Sequence, residues 1–490
     1  MAFVENMMKK DRILSANVLI VLFIMTMLIH LSNAVYALDY PHSKVYVSSS
    51  IGNDTNNGLT TDSPVKTIKK ALTMGDTILL KSNDVFYERA LLKKQHLSSY
   101  GEGKKPELNG LRLLKGRPWK KVGDSIWKID LTTAESIGFV VKGSSIYNNV
   151  GFLYETNKGE LHGRKCAKRM ELNNDWDFFQ SDVLTYHVLK EKCFDELYLY
   201  YRDNPNDLDL ALSVGSRYGL SLYDSSVDGV SVKGFGTGGI EFKGSSSVRN
   251  CRVDAIGGSM MIFGQITTSL GNGIDIWVNK DASDCTIEGN YVTRCYDCGC
   301  SIQAEECGQA TPRNIVFKNN LITNCCQGWE DFLRNDEYVK FENCAFENNI
   351  VLEIGETSGF GYPKNRFKYC HVLGNNFKGD KGMIIRNNTF VGGNYYCSGA
   401  YRDKYRSNVW IGNTCVIKRG DYILSNYMGT KDVIRIPTEK GDYRSLKTAT
   451  DEAIKHYREM TGDYSTRFII KSEKHINKRI KKLKNRYLKG

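Results

Sequence analysis

Val248-Arg-Asn-Cys251-Arg-Val253, Ile287-Glu-Gly-Asn290-Tyr-Val292, Phe317-Lys-Asn-Asn320-Leu-Ile322, Phe346-Glu-Asn-Asn349-Ile-Val351, Val372-Leu-Gly-Asn375-Asn-Phe377, Ile385-Arg-Asn-Asn388-Thr-Phe390 and Trp410-Ile-Gly-Asn413-Thr-Cys415 are seven versions of one pattern. Each places an Asn or Cys between two apolar residues. The Asn/Cys positions are separated by 39, 30, 29, 26, 13 and 25 residues, with the 13 read as half a coil. Self-similarity of this kind marks a solenoid. The segments alternate every second residue and are rich in Asn, Gly, Val, Ile and Phe, which predicts short strands rather than helices. The expected fold class is all-β, a parallel β-helix. In such a stack each inward Asn lies one strand spacing, about 4.8 Å, from its counterpart, so side-chain amides can bond along the column.

A second register precedes the first: Gly239-Ile-Glu241-Phe, Gly273-Ile-Asp275-Ile-Trp277, Gly299-Cys-Ser301-Ile-Gln303, Gly328-Trp-Glu330-Asp-Phe332 and Gly359-Phe-Gly361-Tyr362. Two registers predict two stacked sheets.

Around the stack the sequence changes character. Residues 1–37 combine Lys9, Lys10 and Arg12 with an apolar run from Val18 to Ile29 and small residues up to Ala34 or Ala37, the pattern of a secretory signal. An uncleaved anchor is the alternative, although the run is short for a membrane span. A secreted, periplasmic or cell-surface location follows. Residues 38–110 read as an N-terminal cap and first coils, with a helix opened by Ser63-Pro64 and ended by Gly75. Residues 111–222 lose the Asn pattern, gain Trp119, Trp127, Trp176 and many Tyr, and read as an inserted β-rich subdomain; 223–435 form the β-helix core. Residues 436–490 read as a basic helical tail, with helices over Ser445 to Met460 and Lys471 to Leu488.

The tail from Lys471 onward carries net +8 of the chain's +12, so the body is close to neutral and is not built to attract polyanions overall. The tail is expected to be a solvated basic helix and the only element suited to membrane contact. A nucleic-acid partner does not fit export, and oligomeric state is not legible. Of the 14 cysteines, Cys251, Cys285, Cys344 and Cys415 fall at or beside inward repeat positions and read as apolar filler. Cys166, Cys193 and the cluster Cys295, Cys298, Cys300, Cys307, Cys325 and Cys326 are the disulfide candidates. Cys295-Tyr-Asp-Cys298 and Cys325-Cys326 lack the paired spacing and the His of a zinc site, so no metal ligands are assigned.

Stack and flanks together resemble the secreted right-handed β-helix proteins of the pectate-lyase-like superfamily. The resemblance rests on Tyr46-Val-Ser, Gly52-Asn-Asp, Asn57-Gly58, Pro64-Val-Lys-Thr67 and Gly75-Asp-Thr-Ile-Leu-Leu80, on Trp176-Asp-Phe-Phe, Leu197-Tyr-Leu-Tyr200 and Asn204-Pro205, and on Gly271-Asn-Gly-Ile-Asp-Ile-Trp277 with Tyr296-Asp-Cys-Gly299. It implies a carbohydrate ligand along a groove on one face of the stack. A fold of this kind hosts lyases, hydrolases, epimerases and adhesins, so the site must decide among them.

The third position of the second register reads Glu241, Asp275, Ser301, Glu330, Gly361 up the column. Neighbours would stand roughly 4.8 Å apart and alternate positions nearly 10 Å. Carboxyl groups about 5 Å apart suit a retaining glycosidase and those about 6.5–9.5 Å apart an inverting one. Asp275, Glu330, Glu241 and, at the groove edge, Glu305 are therefore the candidate catalytic residues. Trp277, Tyr362 and Trp329 are candidate sugar platforms, and Arg334 a uronate clamp. Asp297 reads as a turn former. The opposing reading is a solvated acidic row, or one that holds Ca2+, the single cofactor the row suggests. A calcium-assisted lyase or epimerase on an acidic glycan, with Lys243, Lys280 and Arg334 as the nearest cations, is the alternative chemistry. A non-catalytic glycan-binding surface protein is the alternative class.

Overall fold

The computed structural model describes residues 43–140, 149–180, 195–215, 218–263, 266–269, 271–278, 282–304, 309–333, 338–355, 369–373, 382–392, 395–399, 408–426, 434–438 and 443–489. The expected signal segment, Cys193, Cys307, Glu305, Lys280, Arg334 and Tyr362 lie outside these residues. The chain divides after Lys44 into two units, and the architecture that follows is that of Val45–Gly490.

Among the described residues three sheets of ten strands each run up the stack, built on parallel pairs such as Ile274–Trp277 with Cys298–Ala304, with an antiparallel pair at one end of the first sheet. One coil passes from the first sheet, as in Ile274–Trp277, to the second at Thr286–Glu288, to the third at Tyr291–Cys295, and back to the first at Cys298–Ala304. Inward side chains from all three sheets, among them Ile274, Ile287 and Val292, are fully buried in one continuous core. The coil therefore has one more sheet than the two registers predicted, because the second and third sheets are separated by only two residues and share a single repeat in the sequence.

Those two residues explain the repeat. The first adopts a left-handed conformation at every rung, with φ of 50° at Asn250, 66° at Gly289, 57° at Asn319, 55° at Asn348, 57° at Asn387 and 62° at Gly412. Asn and Gly tolerate that region at the least steric cost. The second is the ladder residue. Nδ2 of Asn290, Asn320, Asn349 and Asn388 donates to Oδ1 of the next Asn at 2.9, 3.0, 3.1 and 3.0 Å, and the column ends at Asn413. The same amides donate to buried carbonyls, such as Asn349 Nδ2 to Phe317 O at 3.0 Å, so polar turn backbone is satisfied inside the core. Asn349 and Asn388 are consecutive rungs. The supposed copy at Val372–Phe377 is not one, since Val372 belongs to the first-sheet strand Tyr369–Leu373.

At the N-terminal end the helix of the cap spans only Ile68–Ala71, with Thr67 rather than Ser63 as its N-cap, its hydroxyl accepting from Lys70 N at 3.1 Å. Pro64 lies outside it because the chain there still runs beside the first strand, Val65 bridging to Val47. The insertion forms two five-stranded, mainly antiparallel sheets between Leu111–Leu114 and Leu210–Val214. The stack resumes at Leu220–Tyr223, which pairs with Ala90–Lys93 on one side and Ile240–Lys243 on the other.

The tail is not a solvated appendage. After the helix Tyr443–Thr461, the strand Arg467–Lys471 pairs with Thr414–Lys418 and closes the third sheet. The helix Glu473–Lys489 then lies on that sheet's outer face, burying Ile476 and Ile480 against Leu321, Leu352, Val391 and Val416. Lys484 pairs with Glu353, and Tyr487 donates to Asn290 O and Asn319 O at 2.9 and 3.0 Å. Its apolar stripe, one residue in three or four, fits an outer face that would otherwise expose four aliphatic side chains.

Cysteine chemistry also differs from expectation. Cys166, Cys251, Cys285, Cys295, Cys298, Cys300, Cys325, Cys326, Cys344 and Cys415 are free and buried, so the described members of the cluster form no disulfide. Cys295, Cys300 and Cys325 face the core and act as filler, as Cys251, Cys285, Cys344 and Cys415 do. Burial pushes the thiols of Cys285 and Cys344 to about 11 and that of Cys251 to about 12, which keeps them protonated and inert.

Candidate functional site

In the first sheet the side-chain alternation is strict. Ile240 and Phe242, Ile274 and Ile276, and Cys300 and Ile302 point into the core, so Glu241, Asp275 and Ser301 between them point outward. The strands are in the register the sequence predicted over four rungs: Glu241 beside Asp275, Asp275 beside Ser301, and Ser301 beside Glu330. At the next rung the position is held by Val372, not Gly361.

This outward column is not a solvated row. Asp275 has 0% of its surface exposed and Glu241 and Glu330 8% each. The cover over Asp275 begins with Tyr218, whose ring lies where a side chain at Gly238 would be; a Cβ there would stand 2.3 Å from Tyr218 Cε1. Asp275 accepts three hydrogen bonds: Tyr218 OH to Oδ2 at 2.8 Å, Asn272 Nδ2 to Oδ2 at 3.2 Å, and Ser301 Oγ to Oδ1 at 2.5 Å. Trp277, two residues along and on the same face, donates from Nε1 to Tyr218 OH at 3.4 Å. Glu241 is held by Ser221 Oγ at 2.6 Å and by Lys243 Nζ at 3.5 Å.

Glu330 sits among carboxylates. Gln303 Nε2 donates to its Oε2 at 3.2 Å, while Asp297, Asp275 and Asp331 act on it electrostatically. Asp297 is in turn held by Gln327 Nε2 at 3.0 Å. Asp297 is thus more than a turn former, because it is the charge with the largest effect on Glu330.

Burial dominates both titrations. It raises Asp275 to about 6, against the three hydrogen bonds that favour its ionised form, and the charge of Glu241 adds to the rise. Burial also raises Glu330 well above the usual carboxylate range, and the negative charges of Asp297, Asp275 and Asp331 push the same way. Both carboxyl groups of the column are thereby held above the ordinary carboxylate range, Glu330 by burial and three neighbouring negative charges and Asp275 by burial against three hydrogen bonds. Three donors, Tyr218, Asn272 and Ser301, engage the oxygens of Asp275 and hold its carboxylate in place.

The other sequence candidates divide. Trp329 is core: its ring is fully buried, 4.6 Å centroid to centroid from both Phe317 and Phe346, because it alternates away from Glu330. It can stack on no sugar. Lys243 is committed to Glu241. Tyr218, Asn272 and Gln303 were not singled out as site residues; Asn272 and Gln303 stand inside the motifs that define the column, whereas nothing local marks Tyr218.

A family model described as "Right handed beta helix region" matches residues 209–330, the segment that contains this column. The chain is a right-handed parallel β-helix protein. No curated protein matches it. Among solved structures it is similar to one titled "The complex structure of XylC with xylose", at 11% identity over 87% of this chain and 82% of that one, with a TM-score of 0.39. It is also similar to a GH136 lacto-N-biosidase from Eubacterium ramulus, at 13% identity over 78% and 62% with a TM-score of 0.34, and to pectate lyase Pel9A, at 14% over 79% and 77% with a TM-score of 0.32.

Proposed function

We propose that the chain is a carbohydrate-active enzyme of the glycoside hydrolase type, cleaving a polysaccharide against the outer face of the first sheet. The observation that carries the reading is the pair Asp275 and Glu330, two rungs apart in one outward column, buried, and both raised by their surroundings. Two rung spacings put their backbones roughly 9.6 Å apart. That is near the upper limit of the carboxyl separation that leaves room for a water between acid and base. Glu330, raised by burial and by the charges of Asp297, Asp275 and Asp331, serves as general acid to the glycosidic oxygen. Asp275, ionised above about pH 6 and oriented by Tyr218, Asn272 and Ser301, takes the proton of the attacking water. Glu241 raises Asp275 and is itself a positioning residue. Trp277, at the edge of the column, offers a ring to the sugar.

Elimination needs a base beside a uronate α-carbon and a cation on its carboxylate. Lys243, the nearest described cation to the column, is ion-paired with Glu241, which supports hydrolysis over elimination. The test is incubation with a panel of neutral and acidic polysaccharides, with and without a calcium chelator. New reducing ends without unsaturated uronate absorbance are expected. Unsaturated uronates would replace the reading by a lyase, and saturable binding with neither product by a glycan-binding protein.

A further inference from the structure

The outer face of the third sheet changes character along the stack. Over the rungs of Leu321, Leu352, Val391 and Val416 it is aliphatic and covered by the C-terminal helix. At the earlier rungs, where that helix ends at Tyr487 and Leu488, the outward residues become Ser231, Lys233, Arg252 and Asp254, and among the described residues no helix covers them. What remains is an open groove of about 900 Å³ between the helix end and the loop of the inserted subdomain around Gly159.

The charges lining this groove are unevenly matched. Asp254 is fully engaged by Arg294, with Nε and Nη2 at 2.6 and 2.8 Å, and by Arg252 Nη2 at 2.9 Å. Lys104, Lys105 and Lys233, which also line it, form no salt bridge with a described residue. Lys233 is nevertheless placed, its Nζ 4.5 Å from the centre of the Tyr154 ring, and Arg252 lies 5.1 Å from that of Tyr291. A cation held over a ring keeps its charge available to a third group, whereas one in an ion pair does not. Ser231, Asn250 and Glu107 add hydroxyl, amide and carboxylate groups of the kind that bond sugar hydroxyls.

We propose that this groove is a second, non-catalytic binding site that takes an acidic oligosaccharide, its uronate carboxylates received by Lys104, Lys105 and Lys233. Single-stranded nucleic acid fits less well: it binds by stacking bases on free aromatic faces, and those of Tyr154 and Tyr291 are occupied by Lys233 and Arg252. The site lies on a different sheet from the carboxylate column and does not depend on the activity proposed there.

The experiment is titration of the full chain with a fluorescent short oligogalacturonate at low and moderate salt. Binding is expected, weakening as salt rises, and falling about tenfold or more, some 1.4 kcal/mol, when Lys104, Lys105 and Lys233 are all changed to Ala. Ser231→Trp, which keeps every lysine and fills the floor, is expected to remove binding as well, while Asp275→Asn leaves it intact. Thermal melting of each variant establishes that it is folded. Binding unchanged by both the lysine and the Ser231 variants, or lost only in Asp275→Asn, would overturn the proposal. So would equally tight binding of an oligo-dT of matched charge, lost in the same variants, since the groove would then be a general polyanion surface.

Discussion

The phenol of Tyr218 donates a 2.8 Å hydrogen bond to Oδ2 of Asp275, and both groups are closed off from solvent although Asp275 points away from the core of the stack. An outward residue of a solenoid is normally wet. Here a residue from the segment entering an earlier strand is laid across the column, and the carboxylate beneath it is raised to about 6.

Tyr218→Phe removes a donor that favours ionised Asp275, so Asp275 should titrate higher still. The acidic limb of a kcat/KM profile against pH is expected to move upward from about 6, with a loss at its maximum of about tenfold or more. A profile displaced in height alone would mean that Tyr218 does not act through Asp275.

Asp275→Asn and Glu330→Gln keep the shapes of the side chains and remove the acid–base pair. Each is expected to lower kcat by at least about 100-fold while the protein stays folded. Restoration of turnover in Glu330→Gln by a substrate with a leaving group needing no protonation, and not in Asp275→Asn, would assign the acid and the base separately.

Stability should carry the same signature with a definite sign. Asp275 titrates at about 6 when folded against 3.8 as the reference, so the folded state holds a proton between those values that the unfolded state has lost. Its favourable contribution is complete below about pH 4 and lost as pH rises through 6, a change of about 3 kcal/mol. Urea unfolding of Asp275→Asn at pH 4 and pH 8 is expected to show a smaller fall than the parent.

Lys165 is an independent pH probe. Its ammonium group is buried and donates to Asn149 Oδ1 at 2.7 Å and Val150 O at 2.8 Å, and burial lowers it to about 7. Between that value and the unfolded amine near 10.5, the unfolded chain binds the extra proton, so stability rises with pH through this window. The rise is expected to be absent in Lys165→Met, measured by urea unfolding at pH 7 and pH 10.

Asn349→Ala would orphan the N–H of Asn320, bonded to Asn349 Oδ1 at 2.9 Å, and remove the amide bonds from Asn349 Nδ2 to Phe317 O and to Asn388 Oδ1. Leaving buried polar groups unsatisfied costs about 1–3 kcal/mol each. A loss of roughly 3 kcal/mol in denaturant unfolding is expected, well above that of an exposed substitution such as Lys66→Ala.

How far the sequence could be read follows from where its signals are local. The Asn ladder was legible because each rung needs the same two residues at the same corner, and the column from Glu241 to Glu330 because β alternation fixes a face once the strands are placed. The third sheet was hidden, since its strands sit so close behind the second's that both fell within one repeat. Tyr218 was illegible because its contact with Asp275 spans 57 residues and depends on room left at Gly238. The basic tail was misjudged for a related reason: counting charge on its polar face said nothing of Ile476 and Ile480 on the other.

From Ser226–Asp228 onward the corner between the second and third sheets is two residues long at every described rung, whereas the connections leaving the first sheet range from the two-residue turn at Asp224–Ser225 to the long passage between Leu333 and Ala345. Length variation is thus confined to the edges of the sheet that bears the carboxylates. The ladder works as a ruler that keeps the rungs in step, and the margins of the site can be rewritten, lengthened or recombined without resetting it.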